Sequence, residues 1–277
     1  HDMTEGRALR GAFGVRLATM LLPWIGVLAL QACSTAAAPQ GAAAEIVTPS
    51  DESDARRRAR IRLELAVGYF EAGKVAFALD EVKQALANDP GFADAYNLRG
   101  LIYMQLSDLP MADESFRRAL SLRPGDANVL HNHAWLLCLQ QKYGEADKRF
   151  IEALANPGYT ARTKTLMAQG LCQTRAGDLA QAEKTFLRAY ELDTANPVVG
   201  YNLADIFFRK GELTRAQFYI RRINNSELAN AETLWLGVKV ERALGETVAM
   251  RQLSEQLRKR FPQAKETAAL DRGAFDE

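Results

Sequence analysis

From residue 55 onward, small and apolar side chains recur three and four residues apart, the spacing of one face of an α-helix. The pattern also returns at a longer fixed interval. Tyr69 and Tyr103, Ala78 and Ala112, Val82 and Phe116, Ala85 and Ala119, and Pro90 and Pro124 are each 34 residues apart. Ala146, Phe150 and Ala153 follow after another 34 residues, Ala182, Phe186 and Ala189 after 36, and Ala216, Ile220 and Ile223 after 34. Two extra residues therefore fall near Asn156–Tyr159. A plain helical bundle would keep the helical period but not this longer one.

A small residue, an aromatic four later, a small residue three later and a closing Pro is the tetratricopeptide-repeat (TPR) pattern. Each repeat is a helical hairpin that cannot cover its own apolar face and stacks on the next. Ala112 and Ala146 let the two helices of a hairpin approach, and Phe116 and Phe150 fill the wedge between hairpins. Asp89 and Arg123, each before a Pro, are driven to extended backbone and stop the second helix. Turns are expected at Gly73, Ser107-Asp108, Lys142-Tyr143, Gly177-Asp178 and Gly211. A drifted sixth hairpin is carried by Leu234, Leu236, Gly237, Val240, Ala249 and Leu253, with Gly245 at its turn and Phe261-Pro262 at its end. The expected fold is all-α, a right-handed TPR superhelix of about six hairpins over residues 55–262, with 263–277 as a frayed C-terminal tail.

The N-terminal part has another character. Arg7, Arg10 and Arg16 precede an apolar run from Leu17 to Leu30, interrupted by Pro23 and Gly26, and then comes Leu30-Gln31-Ala32-Cys33. A basic region, a short apolar region and a small residue before the cut make a secretory signal, expected over residues 1–32, with His1 and Asp2 as a short extension before Met3. The alternative is a permanent N-terminal anchor, against which the Pro and Gly argue. Leu-x-Ala-Cys resembles the bacterial lipobox, which implies cleavage before Cys33, a thioether from its thiol to a diacylglycerol, and acylation of the new amine. Ser34 resembles an outer-membrane sorting signal. Residues 33–54 read as the acylated Cys and a flexible tether of Ala, Pro, Ser, Thr and Gly. It would span on the order of 25 Å.

Composition narrows the function. With 35 Lys+Arg against 34 Asp+Glu, the chain has no electrostatic case for nucleic acid. No P-loop, G-x-S-x-G or G-x-G-x-x-G is present, so neither an enzyme, a cofactor nor a small-molecule substrate is expected. His131-Asn132-His133 falls in a predicted helix, where residues two apart point in different directions, so the pair is not expected to hold a metal. Cys138 and Cys172 lie in the first helices of consecutive repeats, and those helices stack side by side. In an exported chain this predicts a disulfide between them; the other reading is two small buried apolar residues.

The first helices of a TPR solenoid line its concave side. Counting along the register, the groove candidates are Asn97, Leu101 and Met104 from the second repeat and Asn128, His131 and Trp135 from the third. Met167 and Leu171 come from the fourth, and Tyr201, Asp205 and Phe208 from the fifth. Aromatic residues and Met are enriched at protein interfaces. Individually, each could instead pack against a neighbouring repeat; as a set they favour a protein-binding groove. The paired Lys and Asn of a peptide-carboxylate clamp are not evident.

Several local stretches go further. Ala127-Asn128-Val129-Leu130-His131-Asn132-His133-Ala134-Trp135, with Leu137-Cys138 and Tyr143, is one. Asn156-Pro157-Gly158-Tyr159, Gly170-Leu171-Cys172, Leu234-Trp235-Leu236-Gly237 and Arg260-Phe261-Pro262 are the others. With the lipobox and tether they resemble the PilF/PilW family of type IV pilus biogenesis lipoproteins over nearly the whole chain. The family commonly has Asn-Asn-Tyr-Gly in the third repeat; Asn132 matches, while His131, His133 and Ala134 depart. The resemblance implies a pilotin at the periplasmic face of the outer membrane, which helps a PilQ-like secretin localise and multimerise. The competing expectation is a general envelope TPR lipoprotein that scaffolds outer-membrane or peptidoglycan assembly factors.

Overall fold

The structure, a computed structural model, describes residues 48–276. The signal segment, Cys33 and most of the tether lie outside the described residues. Among the described residues there are thirteen α-helices and no strand. They pair as α1 (Asp54–Glu71) with α2 (Val75–Asn88), α3 (Ala93–Gln105) with α4 (Leu109–Leu122), and α5 (Ala127–Leu139) with α6 (Tyr143–Ala155). Next come α7 (Arg162–Arg175) with α8 (Leu179–Leu192), α9 (Pro197–Arg209) with α10 (Leu213–Asn224), and α11 (Ala231–Leu244) with α12 (Thr247–Arg260). Each second helix also packs on the first helix of the next hairpin, so the array is a TPR solenoid.

The repeat residues hold the core. Ala112, Phe116 and Ala119, then Ala146, Phe150 and Ala153, then Ala182, Phe186 and Ala189 are fully buried. The approach is closest where the first helix carries Gly. A Cβ on Gly100 would collide with the Phe116 ring, and one on Gly170 would sit 2.7 Å from Phe186. Second helices stop as expected, on extended Asp89 (φ −143°) and on Arg123, which leaves the helical region at φ −139° and ψ 82°.

The turn inside each hairpin needs one residue in the left-handed region. Gly73, Gly177, Gly211 and Gly245 supply it, but so do Ser107 (φ 60°) and Gln141 (φ 61°). In the third repeat the turn is thus made at Gln141, one residue before the expected Lys142-Tyr143. Asp108 and Asp178 accept from the backbone N–H of Met111 and Gln181, which caps the second helices of their hairpins.

Two segments depart from expectation. The end of the tether is ordered: Thr48 donates from its backbone and hydroxyl to Asp51, and Ser53 caps α1. The region read as a frayed tail contains α13 (Lys265–Arg272). Its Ala269 and Leu270 are buried with Leu234, Trp235 and Val238 of α11, and Phe275 stacks on Trp235 at 5.4 Å. The last hairpin therefore has an apolar outer face, and eight residues of helix cover it.

Candidate functional site

Because one repeat follows another at a fixed interval, equivalent positions of successive first helices form ladders across the concave side. One ladder runs Asn97, His131, Met167, Tyr201, Trp235; another runs Leu101, Trp135, Leu171, Asp205, Lys239. The structure brings the early rungs together. Leu101 and Met104 from α3, His131, Asn132 and Trp135 from α5, and Lys164, Met167, Ala168 and Leu171 from α7 line one groove of about 330 Å³.

Six of the residues expected at the groove, Leu101, Met104, His131, Trp135, Met167 and Leu171, line it directly. Asn97 stands beside them, accepting from Asn132 Nδ2 at 3.0 Å. Asn128 is exposed at the start of α5 and does not line the groove. Sequence reasoning passed over Lys164, although it occupies the same rung as Asn128, and Asn132 and Ala168, which are one position further round their helices.

The groove wall is tied from behind. Cys138 and Cys172, both buried, form a disulfide between α5 and α7 with Cα atoms 5.8 Å apart. One end of the same junction carries a hydrogen-bond chain: His131 Nδ1 and Thr165 Oγ1 are 2.9 Å apart, and Tyr159 OH lies 2.7 Å from the same Oγ1. Tyr159 belongs to the inserted stretch, so the two extra residues bring a buried phenol back into the α5–α7 junction. Burial, aided by the charge of Lys164, pushes the His131 imidazole down to about 4, so this wall is neutral at pH 7. His133 turns the other way and donates from Nε2 to Asp113 of α4 at 2.8 Å. Burial lowers its pKa too, opposed by Asp113. The two imidazoles thus have separate partners. Among the described residues, no group of three His, Cys, Asp or Glu could hold a metal ion.

The later rungs are different. Asp205 pairs with Arg209 at 2.8 Å. The Lys239 ammonium lies 5.8 Å from the centre of the Phe208 ring and 5.6 Å from that of Trp235. Burial pushes the Tyr201 phenol well up, with the charges of Glu232 and Asp205 adding to it. Burial lowers Lys239, against the pull of Asp205. Tyr201, Asp205 and Phe208 are therefore a separate cluster and not part of the apolar groove.

Stacked hairpins with an apolar concave groove define a TPR scaffold. The tetratricopeptide-repeat family model matches residues 93–126, the second hairpin and its following turn. The chain is similar to the type IV pilus assembly protein PilF of Pseudomonas aeruginosa, at 27% identity over 72% of this chain and 79% of that protein. The solved structure of P. aeruginosa PilF matches with a TM-score of 0.72 at 25% identity, over 80% of this chain and all of that one. PilW, described as a widely conserved type IV pilus biogenesis factor, matches with a TM-score of 0.70 at 29% identity, over 76% of this chain and 97% of its own. The chain is a PilF/PilW-like TPR protein.

Proposed function

We propose that this chain acts in type IV pilus biogenesis as a pilotin: a lipoprotein held by acyl chains on Cys33 at the periplasmic face of the outer membrane, binding the PilQ-like secretin through its concave groove. The observation that carries this reading is the apolar groove between α3, α5 and α7 on a solenoid similar to PilF and PilW along most of its length. A neutral wall and a Leu–Met floor suit a protein segment, since polarisable, adaptable side chains accept varied apolar partners. Tethering would then work by effective concentration: acyl chains confine the solenoid to one membrane, and the groove raises the local density of secretin subunits there.

The test is deletion of the gene in its host, followed by membrane fractionation and a gel for the heat-resistant secretin multimer. Loss of the multimer, or its retention in the inner membrane, is expected. Wild type should restore it, while Cys33→Ala and the groove variant Met167→Asp should not. An unchanged outer-membrane multimer in the deletion strain would remove the pilotin role and favour a general envelope scaffold.

A further inference from the structure

On the rest of the solenoid, cations that reach between helices commonly meet a carboxylate. Arg99 reaches Glu114 at 2.9 Å, Arg62 reaches Glu81 at 3.0 Å, Lys210 reaches Glu183 at 2.7 Å, and Arg221 reaches Glu241 at 2.6 Å. On the concave ladder itself, Asp205 is already matched by Arg209. The groove between α3, α5 and α7 breaks this habit. It is lined by one cation, Lys164, and by no carboxylate. Lys164 is exposed at the rim and takes part in no ion pair among the described residues. Across from it, His131 is buried against Thr165 and stays neutral at pH 7. The remaining lining is Leu101, Met104, Trp135, Met167, Ala168 and Leu171, with the polar amide of Asn132. At the far end of α7, Arg175 lies over the Trp135 ring at 5.0 Å, so a second cation stands along the same helix.

We propose that the segment bound in this groove is an apolar stretch of protein carrying one acidic side chain, whose carboxylate meets Lys164 while its apolar neighbours cover the Leu–Met floor. This rests on the groove being the docking site. The physical reason is complementarity. An unmatched ammonium beside apolar surface favours an incoming carboxylate, and docking removes water from around the pair and strengthens it. A basic segment is repelled by the same charge, and a wholly apolar one leaves the ammonium partly desolvated without a partner. The later rungs offer no such attraction: Asp205 is answered by Arg209, and the Lys239 ammonium is half-buried against the Phe208 and Trp235 rings. The acidic residue of the partner is thereby assigned to the α7 end of the site and not to α9.

Three short amphipathic peptides, amidated at the C-terminus and identical except for one central Glu, Gln or Lys, test this by calorimetric titration of the full chain. The Glu peptide is expected to bind about five-fold more tightly than the Gln peptide, the effect of one partly exposed ion pair. The Lys peptide should be weakest, and the differences should shrink in high salt. In Lys164→Met the Glu-to-Gln ratio should fall to about one, and in Lys164→Glu the order should reverse. Equal affinity of the three peptides for the wild-type chain, with binding lost in Met167→Asp, would overturn the acidic requirement and leave the groove standing. If no peptide binds, or binding survives Met167→Asp unchanged, the groove reading falls as well.

Discussion

The concave side of this solenoid carries the same backbone ladder twice, with opposite chemistry. Across α3, α5 and α7 the rungs are Leu101, Trp135 and Leu171, and they meet in one apolar groove backed by a disulfide. Across α9 and α11 the next rungs are Asp205 and Lys239, half-buried among Tyr201, Phe208 and Trp235, with no crosslink behind them. Repeat stacking dictates where these side chains project, not what they are. A scaffold of this kind can therefore place a sticky, rigidly held site beside a self-satisfied one without changing its fold. The stability of the two parts is predicted to differ for the same reason, since each repeat depends on itself and its neighbours.

Four measurements sharpen or break that contrast. The largest effect is expected from Cys138→Ser with Cys172→Ser. These residues close a loop of 34 residues between α5 and α7, so their loss should cost about 3–4 kcal/mol by the chain-entropy argument. Urea unfolding should show this, with hydrogen exchange rising at α5 and α7 well before α9 and α11. Uniform loosening of the whole array would mean the two parts are not separable.

Acid comes next. His131 titrates near pH 4 in the fold and near 6.5 in the unfolded chain. Above pH 6.5 both forms are neutral and the stability is whole. Between 6.5 and about 4 the unfolded chain takes up a proton that the native His131 refuses, so stability falls by on the order of 2–3 kcal/mol. His133 shifts in the same direction and adds to the loss. Denaturation midpoints at pH 7 and pH 4.5 should show the drop, and His131→Gln should flatten much of it. An unaltered slope in that variant would assign the acid sensitivity elsewhere.

Tight packing gives a smaller, directional effect. Gly170→Ala would press a methyl group onto the Phe186 ring, at a cost of about 1–3 kcal/mol. Ala134 carries a Cβ at the equivalent position near Phe150, so a shifted ring can accept one, which bounds the penalty. The reverse change in the later part, Ala204→Gly, should cost about 1–2 kcal/mol, from lost helix propensity and one buried methyl group. Thermal denaturation of the two variants gives the comparison. The smallest effect is a gain: Gln141→Gly relieves a left-handed backbone at the turn of the third hairpin and should stabilise by about 1 kcal/mol. The same relief is not available at Gly211, where the turn already has its glycine.

Much of this molecule is legible in its sequence. The repeated spacing of small and bulky apolar positions marked five hairpins, and the drifted pattern around Leu234 and Gly245 marked a sixth. Pro90 and Pro124, by the residues before them, marked where second helices end. Where reading failed, the cause was local ambiguity. The third turn carries Gln141 and no Gly, so composition pointed one residue too far. Helix α13 is eight residues long, too short for a periodic pattern to stand out from a tail. Lys164 went unnoticed because a lysine on a predicted helix is ordinarily a solvated one.

What the sequence determined by itself is the hairpin, its length and its order along the chain, because helical period, breakers and repeat interval are properties of neighbouring residues. Which of the concave residues meet depends instead on how the hairpins pack. The inserted turn brings Tyr159 to Thr165 and His131, and the disulfide holds α7 against α5. That junction gathers side chains from α3, α5 and α7 into one groove and leaves Tyr201, Asp205 and Phe208 outside it. The angle and depth of stacking between hairpins set those meetings. They arise from the packing of buried side chains across repeats, for which a one-dimensional pattern carries no coordinate.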